Sequence, residues 1–300
     1  MSLPTAVRIL APAKVNLWLR VLRRRPDGFH ELDTLFQAVD LCDEVEVSRR
    51  PGTGVGLAVE GAELGPAREN LAYRAALAFL DAAGRSAGSE RVEIRLRKRI
   101  PAGAGLGGGS SDAAAVLRCV SALWQDPLPQ AVLAEVGASL GSDVAFFLGH
   151  GPLARGRGRG ELLETLPPLP EGHLVLVLPP VHVATGPAYG ALARHRALHG
   201  TDGRDPPPAG APRWRDLAEL AVNDFELVVP GAHRPVAASL EALRAAGARP
   251  ALLSGSGGAC FGAFSDEAGA RSAAAEIGGR LGWDAVPVRT LAAFPVPQPL

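Results

Sequence analysis

The nine residues from Gly103 to Ser111, GAGLGGGSS, hold five glycines and two serines, and a helical pattern follows at once. Glycine gives up more backbone entropy on folding than any other residue, so a run this dense needs a compensating role. The commonest is close approach of the main chain to a ligand. Backbone N–H groups at the head of a helix favour an anion there, above all a phosphate. A turn that serves only close packing is the bland alternative, but seven glycines and hydroxyls in nine positions exceed what packing needs. Upstream, Arg91 to Arg97 alternates Val92, Ile94 and Leu96 with charged residues, which predicts a half-exposed strand. The unit is a strand, a glycine loop and a helix.

Three familiar phosphate loops can be tested against it. The GxxxxGK[ST] pattern fails because no lysine follows the glycines. Gly103, Gly105 and Gly108 match GxGxxG, but a dinucleotide fold wants a fully buried strand before the motif and an acidic residue about 20 positions on. Here the strand is half exposed, and a second helix occupies that stretch. A protein-kinase glycine loop sits in a hairpin, whereas Ser110-Ser111-Asp112 reads as a helix start, with Ser111 or Asp112 as its N-cap. What remains is a cradle of backbone amides from Pro101 to Ser111: Pro101, Ala102, Gly103, Ala104, Gly105, Leu106, Gly107, Gly108, Gly109, Ser110 and Ser111. The serines add hydroxyls, and Ala113 to Ala115 let the first turn pack closely.

The rest of the chain narrows the class. With 300 residues, 47% apolar and 21% charged, it has ample core for one large domain or two ordinary ones. Net charge is zero, which gives no reason to expect nucleic acid or a membrane surface as partner. No apolar run approaches a membrane span and no signal pattern opens the chain, so a cytoplasmic protein is expected. Cys42, Cys119 and Cys260 are odd in number and far apart, as expected for apolar residues in a reducing compartment. Arg155, Arg157 and Arg159 read as a solvated loop. Of 31 basic residues only Lys14 and Lys98 are lysines, and a compact ammonium retained in an arginine-using chain suggests function.

Periodicity predicts a β-meander over the first fifty residues, with a turn at Pro26-Asp27-Gly28. Helices are expected at Glu69 to Ala83, Asp112 to Trp124 and Gln130 to Leu140, the last stopped by Gly141 as a C′ glycine. Asp143 follows in a small-residue turn before an apolar strand, Val144 to Leu148. His173 to Leu178 is a strand, and Thr201 to Arg213, rich in proline, a surface loop. Trp214 to Val229, Arg234 to Ala246 and Ser265 to Leu281 are helices. Ala251 to Phe264 is strand, glycine turn, strand, and Ala285 to Leu291 a closing strand. The pattern is α+β with a break near residues 160 to 170.

Three segments together resemble the GHMP kinases, the superfamily of galactokinase, homoserine kinase and mevalonate kinase. PAGAGLGGGSSDAA is similar to its second motif, APAKVNLWLRV (Ala11 to Val21) to its first, and LLSGSGGACFGAF (Leu252 to Phe264) to its third. RRPDGFHELDTLFQAVDLCDEV (Arg24 to Val45) and GSDVAFF (Gly141 to Phe147) further resemble one subfamily, which works in the non-mevalonate isoprenoid pathway. The resemblance implies a two-domain α+β fold. An N-terminal domain, residues 1–165, would be like ribosomal protein S5 domain 2 and bind ATP. A ferredoxin-like C-terminal domain, residues 166–300, would complete the substrate cleft. It implies ATP-dependent phosphorylation of the 2-hydroxyl of a cytidyl-methylerythritol, a small-molecule substrate, by a monomer or weak homodimer. Rival readings are a GHMP kinase for another small alcohol and an inactive nucleotide-binding module.

Residue roles follow from both sources. From its surroundings Asp143 is as well explained as a cap of the next turn as a partly desolvated base; the resemblance makes it catalytic. Lys14, in an apolar strand-like stretch, either snorkels to the surface or aims into a site; the resemblance puts it beside Asp143 and the acceptor hydroxyl. Asn16, two residues on and on the same face, serves either the substrate or an exposed strand edge. The resemblance assigns Phe29 and His30 to the cytosine, with Phe29 in place of the usual tyrosine, and has Thr185 and Tyr189 line the same pocket. It also places Asn70 and Lys98 beside adenine and ribose, although Lys98 could equally be an exposed charge at a strand end. No metal-ligand set stands out; Mg²⁺ would ride mainly on ATP phosphates and waters.

Overall fold

The computed structural model describes residues 4–26, 28–85, 88, 90–124, 128–199 and 212–300. Its frame is a long antiparallel pair, β1 (Ala6–Arg24) and β2 (His30–Pro51). Then come β3 (Val55–Glu60), helix α1 (Leu71–Ala82) and β4 (Glu90–Arg97), followed by α2 (Gly108–Leu123), α3 (Gln130–Leu140) and α4 (Ser142–Leu148). The outer edge of β2 is shared: Glu44 to Pro51 pair with β4, and Leu32 to Gln37 pair with β5 (Leu153–Gly158), which in turn pairs with β6 (Leu162–Thr165).

A second sheet follows. It contains β7 (His173–Leu178), β8 (Ala251–Leu253), β9 (Cys260–Phe264) and β10 (Asp284–Arg289), all antiparallel, in the order β10-β7-β9-β8. Its helices are α5 (Thr185–His199), α6 (Trp214–Leu220), α7 (Val229–Ala232), α8 (Arg234–Ala245) and α9 (Glu267–Leu281). The chain then returns to the first sheet, where β11 (Gln298–Pro299) pairs with β1.

Side-chain alternation explains how the sheets bury both faces. In β7, Val175 and Val177 pack with α5, α8 and α9 residues, while Leu174 and Leu176 face the other way into a cluster shared with Val15, Leu17 and Leu35 of the first sheet. That shared cluster joins the two halves. In β1 the pairing register shifts between Pro12 and Ala13. Before the shift Val7, Ile9 and Ala11 face the helical layer with α1, α2 and α4; after it Ala13, Val15 and Leu17 join the inter-sheet cluster. Lys14 and Asn16, alternating with Ala13, Val15 and Leu17, point away from that cluster.

Several expectations need correction. The helix after the glycine run starts at Gly108, not Asp112, so the run is half loop and half helix. Its N-cap is Gly107, and neither Ser111 nor Asp112 caps it; both are buried within the helix. Gly141 ends α3 with extended backbone, φ 167°, and not as a left-handed C′ glycine. Val144 to Leu148 is helix, with Asp143 in its first turn. The helix expected from Trp214 to Val229 is broken: α6 stops at Leu220, and a 3-10 turn spans Asp224–Leu227. Arg155 is not solvated; it is buried in β5 and its Nη2 donates to Asp33 Oδ2 at 2.7 Å. Cys119 and Cys260 are buried and Cys42 is half buried. Gly28 N–H donates to Arg25 O at 3.1 Å in the expected turn, whose Asp27 lies outside the described residues. So do residues 201–211 of the expected proline-rich loop.

Candidate active site

Lys14 is the hub. Its side chain is 4% exposed, and burial lowers its pKa, with the Asp143 carboxylate opposing that shift. Its Nζ donates to Asn16 Oδ1 at 2.7 Å and to Gly105 O at 2.8 Å, and stands 3.8 Å from Asp143 Oδ2. The last separation is an ion pair longer than a hydrogen bond. Asp143 enters from the first turn of α4, where the helix dipole favours a carboxylate.

Asn16 is buried, not on an edge. Its Nδ2 donates to Thr34 Oγ1 at 2.7 Å, and Thr34 Oγ1 donates to Trp18 O at 2.8 Å. Its Oδ1, already accepting from Lys14, also accepts from Gly255 N at 2.9 Å. All three sequence motifs therefore meet around one ammonium: β1 through Lys14 and Asn16, the glycine loop through Gly105, and the β8–β9 turn through Gly255. Asn223 holds that turn by donating from Nδ2 to Leu253 O and Gly255 O, each at 2.8 Å. Sequence reasoning missed Asn223, Thr34 and Trp18 because their partners are remote in sequence.

The glycine loop points its carbonyls into the protein. Ala104 O accepts from Ala259 N at 2.9 Å, Leu106 O from Lys14 N at 2.9 Å, and Gly105 O from Ser254 Oγ at 3.0 Å. Gly105 (φ 81°) and Gly107 (φ 72°) take left-handed backbone. A Cβ on Gly105 would collide with Ser254 O, and one on Gly107 would lie 3.0 Å from Lys14 Cγ and 3.1 Å from Phe147. These two glycines thus serve packing as well as turn geometry. The opposite side of the loop is open: Pro101, Ala102, Gly103 and Gly109 are exposed. The first intrahelical bond of α2 runs from Ser111 N to Gly107 O, so Gly108, Gly109 and Ser110 hold N–H groups without an intrahelical acceptor. That is a cradle for an anion. Ser111 Oγ is buried with no hydrogen-bond partner among the described residues.

Asn70 caps α1, its Oδ1 accepting from Ala72 N at 2.9 Å. The neighbouring Leu71 borders Gly109, which places Asn70 beside the cradle. Lys98 is not an exposed charge at a strand end. It is buried, and its Nζ bonds Asp43 Oδ2 and, at 2.7 Å, Asp112 Oδ2. Asp43 was not singled out from the sequence, and Asp112 was considered only as a candidate N-cap.

At the other end of the site His30 stacks on Tyr189 with centroids 4.8 Å apart and planes 21° apart, and Tyr189 abuts the edge of Phe225. Burial and the nearby Arg24 and Arg196 lower the His30 pKa. Burial, with Asp143 adding to it, pushes the Tyr189 phenol up to about 12, so Tyr189 lies within electrostatic reach of Asp143. Phe29 is outside this stack: it is 53% exposed, under the Arg159 guanidinium at 4.8 Å. Thr185 opens α5, with its Oγ1 3.0 Å from Ser256 Oγ in the β8–β9 turn. Among the described residues no group of three His, Cys, Asp or Glu could hold a metal ion, and no helix is long and apolar enough to cross a membrane.

Comparison with known proteins agrees with this geometry. Residues 70–151 match the GHMP kinases N terminal domain and residues 209–281 the GHMP kinases C terminal. A homoserine kinase structure from Cytophaga hutchinsonii, 20% identical, covers 99% of this chain and 98% of its own at a TM-score of 0.68, which speaks for the fold. Fold and site define a GHMP kinase. The 4-diphosphocytidyl-2-C-methyl-D-erythritol kinase of Citrifermentans bemidjiense is 44% identical over 95% of this chain and 99% of its own. That of Geobacter sulfurreducens is 40% identical over 94% and 98%. A crystal structure of 4-(cytidine 5'-diphospho)-2C-methyl-D-erythritol kinase, 36% identical, covers 94% and 98% at a TM-score of 0.75. The chain belongs to the family of 4-diphosphocytidyl-2-C-methyl-D-erythritol kinases.

Proposed function

We propose that Lys14 and Asp143 catalyse ATP-dependent phosphorylation of the 2-hydroxyl of 4-diphosphocytidyl-2-C-methyl-D-erythritol. The observation that carries the assignment is the 3.8 Å gap between Lys14 Nζ and Asp143 Oδ2, at the mouth of the glycine cradle. A hydroxyl seated in that gap donates to the carboxylate and accepts from the ammonium. As its oxygen bonds to the γ-phosphorus, the bond from that phosphorus to the ADP oxygen breaks and the hydroxyl proton passes to Asp143. Lys14 offsets the negative charge gathering there. Asn16 touches no substrate in this reading; it fixes Lys14 and the β8–β9 turn.

The N–H groups of Gly108, Gly109 and Ser110, which lack an intrahelical acceptor, hold the phosphates, with Asn70 at the nucleoside end. Mg²⁺ carried by the nucleotide supplies charge neutralisation. The His30–Tyr189 stack receives the pyrimidine, and Phe29 and Thr185 flank that platform. Residues 1–165 and 166–300 form the two domains of the cleft. In this reading the chain acts as a monomer or weak homodimer.

The test is a coupled assay of ADP release, with cytidyl-methylerythritol, homoserine, mevalonate or no acceptor. Turnover is expected on the cytidyl substrate alone, and Asp143→Asn should lower kcat by about 10²–10⁴. Turnover on another alcohol overturns the substrate assignment. Nucleotide binding without turnover on any acceptor overturns the kinase.

A further inference from the structure

Lys98 and Asp112 flank the glycine loop, one just past the end of β4 and the other in the second turn of α2. The 2.7 Å contact between them closes the loop like a clasp. Asp43 of β2 completes it. Its Oδ2 takes a second bond from Lys98, and its Oδ1 accepts from Arg99 N at 2.5 Å and Ile100 N at 2.9 Å, the first residues of the loop. Asp43 and Asp112 are 0% and 1% exposed and Lys98 is 8% exposed. Two buried carboxylates therefore share one ammonium beneath a loop shaped to hold an anion. If both are ionised, the cluster carries a net negative charge where a polyphosphate must sit.

The two carboxylates are not equivalent. Asp43 has donors on both oxygens. Asp112 has one oxygen on Lys98, while its Oδ1 is buried without a partner among the described residues. We propose that Asp112, bridged by Lys98 to Asp43, is a positioning residue of the nucleotide loop and takes up a proton when the nucleotide's phosphates are seated. Its environment agrees. Burial pushes the Asp112 carboxyl up to about 7, with Lys98 opposing and Asp43 adding to the shift. Among the described residues the charged groups acting on it are Lys98, from the end of β4, and Asp43, from β2. A bound polyanion adds negative potential and favours the protonated form, and by linkage the protonated form favours the anion.

The inference rests on the reading of the loop as a nucleotide site. It is tested by calorimetric titration of MgADP into wild type and Asp112→Asn, in buffers of different ionisation enthalpy, between pH 6 and 8. The heats give protons taken up per nucleotide bound. Protonation of the nucleotide itself is common to both proteins and cancels in their difference. Wild type should take up a fraction of a proton that is largest near neutral pH, and Asp112→Asn none of that fraction. A merely structural clasp would move affinity or stability but not this count. Equal proton counts in the two proteins overturn the proposal, as does the absence of uptake in wild type, which decides the matter should the variant fail to fold. Binding without uptake overturns this inference alone; no binding at all overturns the nucleotide site with it.

Discussion

In the proposed reaction Lys14 acts while charged, yet its surroundings lower its pKa, burial being the main cause. Below the lowered pKa the ammonium is intact and kcat is supported; above it the charge is lost. The alkaline limb of kcat should therefore fall below pH 10.5, the ordinary lysine value. Lys14→Arg keeps the charge and should shift that limb upward. Its absolute kcat should nonetheless be low, because a planar fork does not reproduce the two short hydrogen bonds that a point-like ammonium makes to Asn16 and Gly105. A pH–rate profile of both proteins checks this; an unmoved limb in the variant would assign the titration to another group. The position of Lys14 was legible from its rarity and its setting. Its pairing with Asp143 came from the family resemblance alone and its bond to Gly105 from neither source, because both partners come from distant parts of the chain. Lys98 shows the same limit: the end of an alternating strand marks an exposed charge, and only the approach of Asp43 and Asp112 turns it inward.

At the scale of elements, the glycines of one motif do different work, and substitution should separate them. Gly105→Ala puts a methyl into the Ser254 carbonyl on left-handed backbone. Strain alone should cost about 1–3 kcal/mol, read as a lower denaturant midpoint. Gly109→Ala lies within α2, and its methyl would meet only Leu71 Cδ1, at 3.8 Å. It should raise stability by up to about 1 kcal/mol, the gain of alanine over glycine in a helix. A destabilised Gly109→Ala would mean that the helix does not begin where it is placed. Propensity alone sets that start four residues later, because glycine is a poor helix former; packing against Ile100 and Leu71 overrides it. The strands were more legible. Alternation from Arg91 to Arg97 and the apolar run from Leu174 to Leu178 each lie in the expected strand. Val144 to Leu148 did not, since a short apolar run suits a buried helix equally well.

Across the whole molecule, the site depends on two sheets being held in register, and one buried carboxylate ties them. Asp224 Oδ2 accepts from Val21 N of β1 at 2.8 Å and from Arg196 Nη2 of α5 at 2.6 Å. Arg196 Nη1 returns to the same strand, donating to Val21 O at 2.5 Å. The side chains of Asp224 and Arg196 are 6% and 16% exposed, so the pair is little screened. Asp224→Ala would strand the guanidinium and the Val21 N–H together, at a cost of about 3–5 kcal/mol. Because Arg196 also lies close to His30, and Asn223 beside Asp224 braces the Gly255 turn, the damage should reach both ends of the site. The expected result is a large drop in urea midpoint, still in a single transition, with KM for the cytidyl acceptor raised in the fraction that folds. A single transition is expected because Leu174, Leu176 and Phe261 of the second sheet share one core with Val15, Leu17 and Leu35 of the first. Two separate transitions in wild type, or a fragment of residues 1–165 that folds without exposing that core to a hydrophobic dye, would contradict this coupling. Neither half could then be said to need the other for the Lys14 site to form.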